Sequence, residues 1–409
     1  MNMVTAARCR IRQAFTRLGR HFYPIPKQTV EAGAGALLSL GHLLRERRVR
    51  KPMVVMGQVS EEIRQRMERV LSESDIAYTV WDELPAIPTV DDCEAIANAW
   101  HGQYCDSFIA LGDGPVLDTA KAAAARAACG RRTVMAMVGY RRIPRRKLPP
   151  VVAIPTVAGS GAEALTAAIL RDEHGNRFVM ESEALMPPIA VMDCELLADA
   201  DRERVADAGL DGLCRAIEAY LAAAVVDEHN KNLAAQAAEL FFANLESCWN
   251  NGGDLKAREN LLSASRLAAR ASSAVGYGYV RALCRAAQTV CDLPFAPLCG
   301  VLLPATLEKY GSYAVDGLAQ LAAACGIKED GTRPERCRAL IERIRSMVFR
   351  MGLPDALEGV TSAQTEEIGD LAAATANPRC ISPVVWTAED CARVMESVCA
   401  HHTPDGLND

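Results

Sequence analysis

The stretch Ile109–Lys121, IALGDGPVLDTAK, ends an apolar run in a glycine turn and then opens a helix. That layout ordinarily turns backbone N–H groups and a helix N-terminus toward a phosphate. Here the turn reads Gly112, Asp113, Gly114, Pro115. Pro115 has no N–H to donate, but it is a favoured first helical residue. Asp113 sets a carboxylate where phosphate charge would sit, and a carboxylate there stabilises the helix start by itself. Both changes weaken an anion cradle. Gly112 and Gly114, with a second cluster of Gly159, Ser160 and Gly161, keep its outline. Asp118 and Lys121, one and two turns into the helix, suit helix packing.

Further on, Asp211 and Arg215 stand four apart in GLDGLCRAIEAYL, as do Arg281 and Arg285 in YVRALCRA. On a helix each pair shares a face. Arginine stays cationic and has no lone pair for a metal. Asp211 and Arg215 therefore read as an ion pair, supported by Arg281 or Arg285. The alternative is an arginine cluster that holds an anion such as a carboxylate or phosphate. The histidines are His21, His42, His101, His174, His229, His401 and His402, with none between residues 230 and 400. Cys214, Cys284, Cys291 and Cys299 could supply thiolates to zinc. Their spacing lacks a paired grip, however, and Cys214 and Cys284 adjoin the arginines and so face elsewhere. Buried apolar use fits them better.

These residues need elements to carry them. Short β-rich runs alternate with helical stretches through the first half: 53–57, 77–81, 107–112, 133–138, 151–155 and 189–193. Such alternation implies a parallel sheet covered by helices on both faces. Beyond about residue 200 the segments read as helices. The expected organisation is a basic amphipathic segment over 1–22, an α/β dinucleotide-binding-like domain over 23–198 and an all-α domain over 199–409. YRRIPRRKLPP reads as a solvated connection.

The N-terminus carries Arg8, Arg10, Arg12, Arg17 and Arg20, with no acid before Glu31. Val4, Ile11, Phe15 and Leu18 fall on one helical face. Three readings stay open: a transit peptide, a helix that docks on a protein partner, or a surface helix packed on its own domain. Over all 409 residues the net charge of -6 argues against nucleic acid as the main partner. No apolar run is long enough for a membrane span. Fifteen cysteines without paired spacing fit a reduced, cytoplasmic protein, unless the N-terminal helix directs it to a compartment.

The order of motifs resembles the iron-containing (group III) alcohol dehydrogenases, most closely the ethanolamine-utilisation branch. ALGDGPVLDTAK is similar to that family's glycine-rich dinucleotide motif, and IPTVAGSGAE (154–163) to its second signature. LMPPIAVMDCELL, GLDGLCRAIEAYL, SSAVGYGYVRALCRA, VLLPATLEKY and ANPR follow in the family's order. The resemblance implies a Rossmann-like parallel-sheet domain followed by a helical domain, the dehydroquinate synthase-like fold. It implies hydride transfer between NAD(P) and an alcohol or aldehyde, with a divalent metal polarising the substrate oxygen. The cofactor positions carried over are Gly112, Asp113, Gly114, Asp118, Lys121, Thr156, Gly159, Ser160 and Gly161. The family's metal ligands, one aspartate and three histidines, fall on Asp211, Arg215, Arg281 and Phe295, and Arg285 falls beside the substrate. After the first strand, Gly57 and Gln58 stand where an acidic residue often binds the ribose.

Three of the four metal positions have thus lost their ligand type, so neither iron nor zinc is expected, and NAD(P) binding is expected to be weak. The leading reading is a pseudoenzyme with a structural or regulatory role, assembled as a homo-oligomer (dimer or higher). One alternative is a metal-independent NAD(P)H-dependent oxidoreductase in which Arg281 or Arg285 polarises a carbonyl. The other is a protein that binds an anionic metabolite through the arginines.

Overall fold

The computed structural model describes residues 3–22, 26–144, 147–222, 226–273, 278–328 and 330–400. Its strands are β1 (Thr29–Ala32), β2 (Pro52–Met56), β3 (Thr79–Trp81), β4 (Ser107–Gly112), β5 (Gly139–Tyr140), β6 (Val151–Pro155), β7 (Ala167–Arg171), β8 (Arg177–Glu181) and β9 (Ile189–Met192). Six form one sheet in the order β1-β9-β6-β4-β2-β3, and every neighbouring pair is parallel. Parallel strands are covered on both faces and so read as continuous apolar runs. Strands β2, β4 and β6 are buried at every position.

Side chains alternate between the two faces of this sheet. Val54, Met56, Ile109, Leu111, Val152 and Ile154 pack with Leu44, Met67 and Leu71 on one side. Met53, Val55, Phe108, Ala110, Val151 and Ala153 pack on the other with Val116, Leu117, Ala120 and Ala124. The latter four belong to the helix Gly114–Ala128. Its alanines let it lie close on the sheet.

The chain runs from β2 out to the edge strand β3, then returns to place β4 on the other side of β2. The carboxyl ends of β2 and β4 therefore flank a topological switch point, where open α/β sheets take their ligands. Gly57 and the Gly112–Pro115 turn sit at this point.

Two sequence expectations are corrected here. Residues 133–138 are not a strand. Met135–Met137 form a short 3-10 turn, because Ala136 N–H and Met137 N–H donate to the carbonyls of Thr133 and Val134, and Val134 N–H donates to Glu94 Oε1. In addition, the chain carries a second, three-stranded sheet, β5-β8-β7. Its hairpin β7–β8 is antiparallel.

The compact units interleave along the chain. One comprises 20–212 and 240–274; the other comprises 1–19, 213–239 and 275–409. The helix Leu255–Ser272 joins the α/β unit because the second glycine cluster lies against its Ser265 and Ala269. The N-terminal helix Met3–Phe22 joins the helical unit rather than standing alone. There Gln13 Nε2 donates to the Cys380 carbonyl (2.6 Å) and Arg10 to that of Pro383. Among the described residues no helix is long and apolar enough to cross a membrane.

Candidate functional site

The glycine turn is held as a self-contained helix start. Asp113 is the N-cap of Gly114–Ala128, and Val116 N–H donates to its Oδ1 at 3.5 Å. Leu117 N–H donates to the Asp113 carbonyl at 3.1 Å. Pro115 has no N–H, and the Val116 N–H is turned to Asp113. Arg204 Nη2 lies 3.6 Å from Asp113 Oδ2. Burial pushes the Asp113 carboxyl up from its ordinary range, against the opposing pull of Arg204.

The glycines of the turn are used by protein atoms. A Cβ on Gly57 would stand 2.6 Å from Val116 Cγ2, and one on Gly112 would stand 2.7 Å from the same atom. A Cβ on Gly114 would stand 2.7 Å from Ser160 Oγ. Val116 thus fills the space over both glycines at the switch point.

The second cluster does similar work. Gly159 has φ 153° and a Cβ there would fall 1.8 Å from the Ala208 carbonyl oxygen. Its N–H donates to Ser265 Oγ at 2.9 Å. Gly161 (φ 66°) abuts Ala269. Lys121 is fully buried. Its Nζ donates to the carbonyls of Ala162 (3.0 Å), Leu165 and Ala167 and pairs with Asp118 Oδ1 at 2.9 Å. Asp118 Oδ2 accepts from Ile169 N–H. These two charged residues tie the second signature and the strand after it to the helix. Thr156 donates its N–H to the Gly112 carbonyl. Its buried hydroxyl has no hydrogen-bond partner among the described residues. The turn fits a dinucleotide pyrophosphate poorly.

The positions that the motif match assigns to the metal carry other side chains. Arg215, Arg281 and Phe295 are all buried, and Asp211 and Arg285 are half-buried. Arg281 Nε donates to Glu218 Oε2 at 2.7 Å, with both side chains 3% exposed. Glu218 also accepts from Arg281 N–H (3.3 Å) and Gly278 N–H (3.2 Å). Arg281 thus has a buried carboxylate partner in Glu218. The sequence signal was an acid inside the apolar run AIEAYL, three residues after Arg215, which needs a cation once buried. Residues 274–277, where the motif alignment takes up one inserted residue, lie outside the described residues.

Cys214 hydrogen-bonds to Cys299, and burial pushes its thiol well up, so it stays a thiol rather than a thiolate. Among the described residues no three His, Cys, Asp or Glu side chains gather as a metal-holding group. Guanidinium groups and a phenyl ring do not fit a divalent metal, because none offers a lone pair.

Comparison with known proteins places these observations. A model described as iron-containing alcohol dehydrogenase matches residues 26–194, and one for the C-terminal part of the Fe-containing alcohol dehydrogenase family matches 205–398. The Salmonella typhimurium protein named "Probable alcohol dehydrogenase EutG" is 29% identical over 338 residues, covering 82% of this chain and 84% of its own. Alcohol dehydrogenase from Oenococcus oeni superposes with a TM-score of 0.84 at 22% identity, covering 91% of this chain and 98% of that one. Sulfoacetaldehyde reductase from Bifidobacterium kashiwanohense, solved in complex with NAD+, superposes with a TM-score of 0.80 at 21% identity, covering 91% and 97%.

Proposed function

The chain belongs to the iron-containing alcohol dehydrogenase family, and from that premise we propose that it is a member without dehydrogenase turnover, its fold kept for a structural or regulatory role. The observation that carries this reading is the buried Glu218–Arg281 pair. It commits the side chain at a position where the motif match puts a neutral metal ligand, and a guanidinium offers no lone pair to a divalent ion. The same pair takes Arg281 away from both alternatives. A guanidinium held by a buried carboxylate has little charge left to polarise a carbonyl or to hold an anionic metabolite. Asp113 supports the reading independently, since its carboxylate already serves the helix start that a pyrophosphate would otherwise serve.

The test is fluorescence titration with NADH and NADPH, alongside alcohol and aldehyde turnover with added Fe2+ or Zn2+. The expected result is no turnover and dissociation constants near or above about 1 mM. The double variant Asp113→Gly/Pro115→Ser removes the carboxylate and returns an N–H, and is expected to bind at least about tenfold more tightly. The pH dependence has a definite sign. The Asp113 pKa is raised, so as pH falls its carboxylate is neutralised before a normal aspartate would be. Wild-type affinity for NADH should rise as pH is lowered, and the Asp113→Gly variant should lose the trend. Micromolar binding by the wild type together with metal-stimulated turnover would overturn the proposal.

A further inference from the structure

We infer that the N-terminal helix Met3–Phe22 is a docking face for an anionic lipid surface. The helix has two unlike sides. Cys9 and Gln13 are buried. Cys9 Sγ reaches Asn377 Oδ1 at 3.5 Å, and Gln13 and Arg10 bond the carbonyls of Cys380 and Pro383. One side is thus held on the helical unit by polar bonds. The other side presents Val4 (64% exposed), Ile11 (57%) and Phe15 (68%). Their spacing of seven and four aligns them in one stripe. The apolar face expected from periodicity is therefore the one turned outward; the side chain of Leu18, its fourth member, lies outside the described residues.

Charge completes the pattern. Arg8 and Arg12 are exposed beside the stripe, and the first thirty residues contain no acid, although the whole chain is acidic. An exposed apolar stripe bordered by arginines is the composition of a helix that lies in a membrane interface. The apolar side chains enter the acyl boundary while the guanidinium groups meet anionic headgroups and their stems snorkel. A protein occupant fits less well. A stable protein interface buries at least about 1,200 Å² with shape complementarity, and three side chains supply only a fraction of that. A bilayer asks for no matching shape. Because the inner side keeps its own bonds, docking needs no detachment of the helix.

The experiment is co-sedimentation of the full chain with vesicles of phosphatidylcholine, with and without about 30% phosphatidylserine. Two double variants, Ile11→Ser/Phe15→Ser and Arg8→Gln/Arg12→Gln, change only exposed residues, and thermal melting checks that both stay folded. The expected result is binding to the anionic vesicles, at least about tenfold weaker to neutral ones, and weakened further by salt. Each double variant should lose about tenfold or more on anionic vesicles. Equal affinity for both vesicle types, or binding unchanged in the variants, would overturn the inference. So would light scattering that shows self-association abolished by Ile11→Ser/Phe15→Ser without vesicle binding, which would assign the face to a second copy of the chain.

Discussion

Glu218 and Arg281 face one another at 2.7 Å with almost no solvent on either side chain. Taking two charges out of water costs several kcal/mol each, and the pair stays ionised because each ion supplies the other's missing solvation. Removing one partner leaves the other buried and uncompensated. Arg281→Met should therefore lower unfolding stability by about 3–5 kcal/mol in urea denaturation. Glu218→Gln should cost less than Arg281→Met, because the amide oxygen can still accept from the backbone N–H groups of Gly278 and Arg281. If Arg281→Met were neutral, the pair would not anchor the two helices that carry it. At this scale the composition of the site was legible and its long-range pairing was not. The absence of histidine between residues 230 and 400 and the Asp113–Pro115 turn are plain in the sequence. Glu218 as the partner of Arg281 was hidden by the 63 residues that separate them.

At the scale of elements, the second signature works as a joint. Its loop is fixed on one side by Lys121, reaching three carbonyls, and on the other by Gly159 and Gly161 against the helices Arg202–Leu221 and Leu255–Ser272. Gly159→Ala would drive a Cβ to within 1.8 Å of a backbone oxygen, at a φ that side chains rarely adopt. Backbone must move, so the variant should be destabilised by about 1–3 kcal/mol or more in thermal or urea unfolding. Gly130→Ala is the contrast, since a Cβ there meets nothing within 4 Å. The buried strands were legible because their apolar runs are continuous. The hairpin β7–β8 was not, since half-buried positions alternate through it and Arg171, Arg177 and Glu181 break the run. Residues 133–138 misled in the other direction: a β-rich composition was overruled by local turn hydrogen bonds. The N-terminal helix was legible as a helix, but periodicity does not say which stripe faces inward. Gln13 goes inside because a backbone carbonyl waits for its amide.

The whole molecule is built from two units whose segments interleave along the chain, and composition alone gave no sign of it. Interleaving follows from contacts such as Gly161 with Ala269, which join residues far apart in sequence. What composition did convey is the state of the cysteines. Of the fifteen, twelve are buried and Cys291, Cys325 and Cys399 are half-buried, all as free thiols. Burial pushes Cys248 and Cys391 up to about 12, and Cys325 likewise to about 12. Since the thiolate is the nucleophile, a thiol held protonated at neutral pH alkylates slowly. A short iodoacetamide pulse on the folded protein, read by peptide mass spectrometry, should therefore mark Cys291 and Cys399 first, Cys325 later, and the buried twelve only after denaturant opens the fold. Early labelling of Cys214 or Cys299 in the native state would be the informative failure. It would mean that the region holding Arg281 and Glu218 opens to solvent, so the pair would not be the buried contact that its distance and low exposure describe.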